Sequence, residues 1–269
     1  MLQMVQKSFS IYNSDLTDCT LFIETGNDYI ACWCNNAAGS MEAFELFDFD
    51  AVTAATDFNE LYKNVKLYSR LLTSGFSKVH CIWGHAQCTF IPETVYTRSS
   101  LAEYGYLLFG VQQPHTLLVE KIKDMVVLST IPQIARMEYD EHFEVDSHSH
   151  AYMGILTRLG ITGTGIQVFF YKSNVLVLAV KNSQLLLMQQ FAYQTPDDVL
   201  YNILNVCATQ NLPLETTQIT AAGFITTDSS MYEKLYAYLP KLSIAVVPEN
   251  RFSSAEFLAY PLHYFASFC

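Results

Sequence analysis

The chain has 269 residues, 51% of them apolar and 15% charged, which excludes a disordered segment and leaves room for one large domain or two modest lobes. The formal net charge is -11 and the Lys and Arg residues are scattered, which disfavours general nucleic-acid binding and an anionic membrane surface alike.

In chain order, Cys19 to Glu24 reads as a strand, Thr25-Gly26-Asn27-Asp28 as a turn and Tyr29 to Cys34 as a second strand. A polar loop ending in Gly39-Ser40 leads to a third run, Met41 to Phe49. Short apolar runs separated by turn residues predict an antiparallel meander. A helix follows, capped by Thr56 or Asp57, with Phe58, Leu61, Val65, Tyr68 and Leu72 as its apolar stripe and Gly75 as its end. Lys78 to Trp83 then reads as a buried strand.

The second half repeats this order. Gly165 to Tyr171, Val175 to Val180 and Gln184 to Phe191 read as strands, turning at Lys172-Ser173-Asn174 and at Asn182-Ser183. The next helix has a clear start: Thr195 at the cap, Pro196 in the first helical position, Asp197 and Asp198 at the positive end of the dipole. Val199, Ile203 and Val206 form its stripe and Pro213 marks its exit. Gln218 to Phe224 is a strand, Asp228-Ser229 caps a helix through Tyr238, and Leu242 to Val247 is the last strand. The aromatic stretch Phe252 to Phe268 fits the core of one lobe or, alternatively, an apolar patch for a partner.

The order strand, strand, strand, helix, strand thus occurs twice and predicts an internal duplication, with lobes at 1–129 and 130–269. Residues 130–163 form a connecting segment without a counterpart, ending in a helix through Met153 to Leu159. Seven cysteines, no signal-peptide core in the first residues and no apolar run of bilayer length predict a cytoplasmic chain with reduced thiols.

Three stretches carry a resemblance: Phe90-Ile91-Pro92-Glu93-Thr94-Val95-Tyr96, Phe191 to Leu204, and Ala221-Ala222-Gly223-Phe224-Ile225. With them the chain resembles an uncharacterised bacterial family, a domain of unknown function with a degenerate actin-like fold. The doubled plan is similar, more broadly, to the actin-like ATPase superfamily. The resemblance implies an α/β fold class with duplicated actin-like (ribonuclease H-like) lobes, each a mixed sheet flanked by helices, and a cleft between them. It implies ATP with Mg as the ligand of an intact site, and no known activity for the closer family.

Superfamily members offer phosphate a tight first hairpin in each lobe, typically Asp-x-Gly-Thr or Asp-x-Gly-Ser. Glycine lets backbone N–H groups approach, the hydroxyl adds a bond and the carboxylate organises magnesium or water. By that resemblance Glu24, Thr25, Gly26 and Asn27 fall at the first hairpin, which keeps the glycine and loses both Asp and hydroxyl. Tyr171-Lys172-Ser173-Asn174 falls at the second, with Ser173 as its one hydroxyl, and Gly223 and Phe224 fall at the adenosine motif, which keeps one glycine. Each has a plainer reading, as an ordinary hairpin turn or a strand-ending glycine. Stabilising a transferring phosphoryl group needs several such groups together, so the expectation is a non-catalytic binding or scaffold protein with no catalytic residues and no cofactor. The alternative is a divergent ATPase or phosphotransferase holding ATP with Mg in the cleft. The expected partner is an unidentified protein or a second copy, with no nucleic acid and no membrane.

Two other clusters have ligand chemistry. His80, Cys81, His85 and Cys88, with Cys32 and Cys34, contain zinc-ligand types but no Cys-x-x-Cys spacing, and read as core thiols. Glu138, Asp140, Glu141, His142, Glu144, Asp146, His148 and His150 are denser, and read as a solvated linker with Asp146 or Ser147 capping the next helix. No metal site is expected at either.

Overall fold

The structure is a computed structural model, and it describes residues 5–13, 16–51, 57–85, 87–110 and 115–269. Thr56, a candidate helix cap, lies outside them. Two compact units divide between Gly154 and Ile155. The sequence reading puts a boundary at 129/130. The difference arises because residues 133–150 pack within the first unit, as described below.

The first unit is built on a six-stranded sheet. Strands β2 (Thr20–Thr25), β3 (Tyr29–Asn35) and β4 (Met41–Phe49) form the expected meander, and β5 (Lys78–Trp83) joins β2 in parallel. The sheet has two further members. A preceding strand, β1 (Val5–Tyr12), pairs antiparallel with β4, and a later one, β9 (Val145–His150), pairs parallel with β5. Helix α1 (Phe58–Tyr68) starts at Asp57, whose carboxylate accepts the Glu60 N–H at 3.1 Å. It ends at Tyr68, earlier than the stripe suggests. Leu72 still reaches the core, but from the turn that follows.

Between β5 and β9 lies an insertion that the sequence reading misses. Strands β6 (Cys88–Pro92), β7 (His115–Ile122) and β8 (Met125–Pro132) form a separate sheet in the order β6-β8-β7, with helix α2 (Leu101–Phe109) beside it. Gly105 in α2 carries no side chain because Leu117 of β7 packs there. Helix α3 (Gln133–His142) follows and buries Ala135 and Tyr139 in the first unit's core. The acidic and His-rich stretch is therefore not a solvated linker. It is half helix and half strand, and the Asp146 carboxylate caps no helix but accepts the Val79 N–H at 2.8 Å. Ser147 pairs with His80 in the sheet.

After helix α4 (Ala151–Leu159), the second unit holds a five-stranded sheet. Strands β10 (Gly165–Phe170), β11 (Asn174–Lys181) and β12 (Gln184–Ala192) form an antiparallel meander, and β13 (Ile219–Gly223) and β14 (Leu242–Ile244) add in parallel. Asn182 and Ser183, at φ 51° and 62°, make the tight turn of the β11–β12 hairpin, where two left-handed residues match the strand twist. Helix α5 (Pro196–Thr209) has a full capping box of Thr195 and Asp198, and α6 (Ser230–Tyr238) starts at Ser229. Phe252, Phe257, Phe265 and Phe268 of the aromatic C-terminal stretch are buried, while Leu258 and Tyr260 stay exposed.

The two sheets share one plan. The order β4-β3-β2-β5-β9 in the first matches β12-β11-β10-β13-β14 in the second, strand for strand and in the same senses.

Candidate functional site

The first hairpin joins β2 to β3 through Asn27 and Asp28, and the Gly26 N–H closes it by donating to the Tyr29 carbonyl at 3.0 Å. A Cβ added to Gly26 would lie 2.1 Å from Tyr29 Cε1, so the glycine exists to let the Tyr29 ring lie across the backbone. The phenol donates to Glu24 Oε1 at 2.5 Å and lies against Gly84, where an added Cβ would be 2.7 Å from its oxygen. Glu24 and Tyr29 are both buried.

The other groups of this hairpin also face protein. The Gly84 N–H donates to the Thr25 carbonyl at 2.8 Å. Thr25 Oγ1 is 2.7 Å from the Tyr139 phenol, whose titration burial pushes well upward. Asn27 Oδ1 meets His85 Nδ1 at 2.9 Å. Glu24, Thr25, Gly26 and Asn27 are thus brought together, but around a tyrosine ring.

The second hairpin closes the same way, with the Tyr171 N–H donating to the Asn174 carbonyl at 2.9 Å. Lys172 and Ser173 are exposed at its tip. Tyr193 fastens it from β12's end: its N–H donates to the Ser173 carbonyl at 3.1 Å and its phenol to the Tyr171 carbonyl at 2.9 Å. Gly223 has φ 79°, and a Cβ there would lie 2.3 Å from the Phe170 carbonyl oxygen. The Phe224 N–H then donates to that oxygen at 2.9 Å, and the Phe224 ring meets Tyr264 edge-on. Close approach of two backbones, without any ligand, accounts for this glycine.

Sequence reasoning missed Tyr29 and Gly84. Tyr29 was legible in principle: a glycine across a two-residue loop from an aromatic is a known way to cover bare backbone. Gly84 becomes meaningful only once β2 and β5 are aligned.

The ligand-type clusters separate. His148 Nδ1 accepts from the Trp83 indole at 3.3 Å, and its Nε2 meets Asp140 at 3.0 Å. Burial lowers its pKa. His150 is fully buried: Nδ1 accepts the Tyr152 N–H, so Nε2 carries the proton and donates to the His85 carbonyl at 2.9 Å. Burial holds that imidazole neutral down to about 4. His142 instead bonds the Glu138 carbonyl. Cys32 and Cys81 lie in the core with burial pushing their thiols up, which removes the thiolate a metal needs. Among the described residues no three His, Cys, Asp or Glu side chains are grouped to hold an ion, and no helix is long and apolar enough to cross a membrane.

Comparison with known proteins agrees with the shared plan. The chain is similar to a protein of actin-like ATPase fold and unknown function from Bacteroides thetaiotaomicron, at 16% identity over 85% of this chain and 91% of that one, with a TM-score of 0.70. It is also similar to a chain of the PilM-PilN type IV pilus biogenesis complex, at 10% identity over 92% of this chain and 96% of that one, with a TM-score of 0.57. No curated protein matches. The fold is that of the actin-like ATPases. The profile of a family described as proteins of unknown function, DUF3822, matches residues 6–242, and the chain belongs to that family.

Proposed function

We propose that the protein is a non-catalytic binding or scaffold protein built on the actin-like ATPase fold. One observation carries this reading: the first hairpin already has an occupant. The Tyr29 ring lies on Gly26, its phenol is bonded to Glu24, and Gly84 leaves no more than the room that phenol fills. A phosphate would need the backbone that the ring covers and a carboxylate that is buried against it.

The second hairpin supports the same reading. It has neither glycine nor carboxylate, and its one nearby glycine accommodates the Phe170 backbone. One chain of similar fold belongs to a complex, that of PilM and PilN in type IV pilus biogenesis.

Calorimetric titration with Mg-ATP tests the proposal. We expect no heat and no change in thermal midpoint at millimolar nucleotide. Saturable binding of one nucleotide per chain would replace this reading with that of a divergent ATP-binding enzyme.

A further inference from the structure

The insertion at 88–132 meets the main sheet of the first unit along a seam. Strand β7 lies beside β9, the edge strand of that sheet, although the two belong to different sheets. A side-chain bond ties them: the Glu120 carboxylate of β7 accepts the His150 N–H of β9 at 2.8 Å. The surroundings are largely apolar. Leu118 of β7 packs on the first unit's core, Val127 of β8 stands opposite Glu120, and the Phe90 ring of β6 lies parallel to that of Tyr152 in α4 at 6.2 Å.

Glu120 meets no countercharge there. Among the described residues it joins no ion pair, and Lys121, next to it in the chain, is bonded to Glu93 instead. The titratable residues packed against it are Cys88 on β6 and His150 on β9. Beyond His150 stand Tyr152, ring on ring at 4.4 Å, and His85, whose carbonyl accepts His150 Nε2. Burial pushes the Cys88 thiol upward and keeps the His150 imidazole neutral down to about 4, so neither is charged near neutrality. A single N–H favours the ionised carboxylate of Glu120, but loss of water outweighs it and raises the group from 4.5 to about 7.

An ionised Glu120 held against β9 gains by returning to water, and a protonated one does not. We propose that the seam between β7 and β9 is a pH-sensitive latch, closed while Glu120 carries its proton and opening locally when that proton passes to solvent. Opening returns the carboxylate to its ordinary range. The closed form is therefore favoured at low pH and loses that advantage as pH rises through 7. Between pH 6 and pH 8 the ratio of open to closed should rise roughly tenfold. This inference does not depend on the closed hairpin.

Native-state hydrogen exchange of single amides, followed by NMR at about pH 6 and pH 8 and corrected for the intrinsic rate, tests it. The His150 amide should lose protection roughly tenfold between the two. It should also be protected roughly a hundredfold less than the Cys32 amide of β3 and be indifferent to dilute urea, the marks of a local opening. Glu120→Gln keeps the acceptor and removes the charge, so in that variant the His150 amide should be equally protected at both pH values. Should the variant misfold, the carboxyl carbon resonance of Glu120 in the wild-type protein serves instead, and should titrate near 7. A wild-type His150 amide with the same protection at both pH values overturns the proposal. So does one that follows Cys32 in level and in urea response, a Gln variant with the wild-type slope, or a carboxyl midpoint near 4.5.

Discussion

The hairpin at Gly26–Tyr29 and the hairpin at Tyr171–Asn174 close with the same hydrogen bond at the same place in their sheets, yet their small and large residues are exchanged. In the first unit glycine opens the hairpin and Trp83 ends the neighbouring parallel strand. In the second, Tyr171 opens the hairpin and Gly223 ends that strand. One glycine makes room for a side chain, the other for a backbone. Neither glycine is therefore evidence of a bound nucleotide, since each is explained by a protein group lying against it.

That contrast is broken most sharply at Gly223. Gly223→Ala places a Cβ against the Phe170 carbonyl at positive φ, and β10 and β13 cannot move apart without losing their pairing. Backbone strain and overlap together should cost roughly 3–5 kcal/mol, read by chemical denaturation. Gly26→Ala meets only a side chain. It should cost roughly 1–3 kcal/mol, and that increment should largely vanish when measured in a Tyr29→Ala background. Equal losses at the two sites, without relief, would mean that the hairpins are built alike after all.

A second contrast concerns charge. Among the described residues the buried carboxylates and imidazole, Glu24, Asp28, Glu42, Glu45 and His150, all belong to the first unit, whereas the second buries Thr217 and Ser267. Two groups in the first unit titrate in opposition. Burial lowers His150 from 6.5 to about 4, so its contribution is present above pH 6.5 and lost as pH falls toward 4. Burial raises Glu120, which accepts the His150 N–H, from 4.5 to about 7, so its contribution is present at low pH and lost as pH rises through 7. Between about pH 4.5 and 6.5 the two slopes cancel. Glu120→Gln keeps the hydrogen-bond acceptor and removes one slope. It should lose roughly 2–3 kcal/mol relative to wild type as pH falls across that window. Parallel pH profiles of the thermal midpoint for both proteins would refute the pairing.

Next in size is Tyr29→Phe. Deleting the phenol oxygen takes one hydrogen bond from the buried Glu24 while leaving the ring on Gly26, at about 1–2 kcal/mol. Mg-ATP should still give no heat, because the ring and not the hydroxyl closes the hairpin.

Much of this plan is visible in the residues themselves. Thr195-Pro196-Asp197-Asp198 announces a helix by local chemistry alone, and the wholly apolar Val175–Val180 run announces a strand covered on both faces. What escapes is what depends on distant partners. Val5–Tyr12 becomes a strand because the carboxylates of β4 receive Lys7 and Ser8. Val145–His150, with its Asp, Ser and His, lacks any apolar strand signature and is fixed by pairing with β5. The insertion at 88–132 has the right strand chemistry but no counterpart in the other half, so a reading guided by repetition passes over it. In the site, hairpin positions follow from turn residues, whereas the filling of the hairpin by Tyr29 needs the ring's direction.

The smallest expected effect concerns how each hairpin is held. Thr195 Oγ1 accepts the Asp198 N–H, and the Asp198 carboxylate accepts the Thr195 N–H at 2.8 Å. This box lies just beyond Tyr193, whose two hydrogen bonds fasten the second hairpin. Thr195→Ala should cost about 1 kcal/mol, less than a full cap because Asp198 still takes the Gln194 and Thr195 N–H groups. The loss should be felt locally: the Tyr193 amide should exchange hydrogen faster, while the Gly26 amide, closed by its own hairpin, should not change. Asp57→Ala, which removes the single side-chain cap bond of α1, should cost a similar amount and leave both hairpin amides alone. If Tyr193 exchange is unaltered in Thr195→Ala, the second hairpin is held by its strands and not by the helix that follows them. The contrast between a hairpin plugged by its own tyrosine and one tied down from a neighbouring strand would then fail.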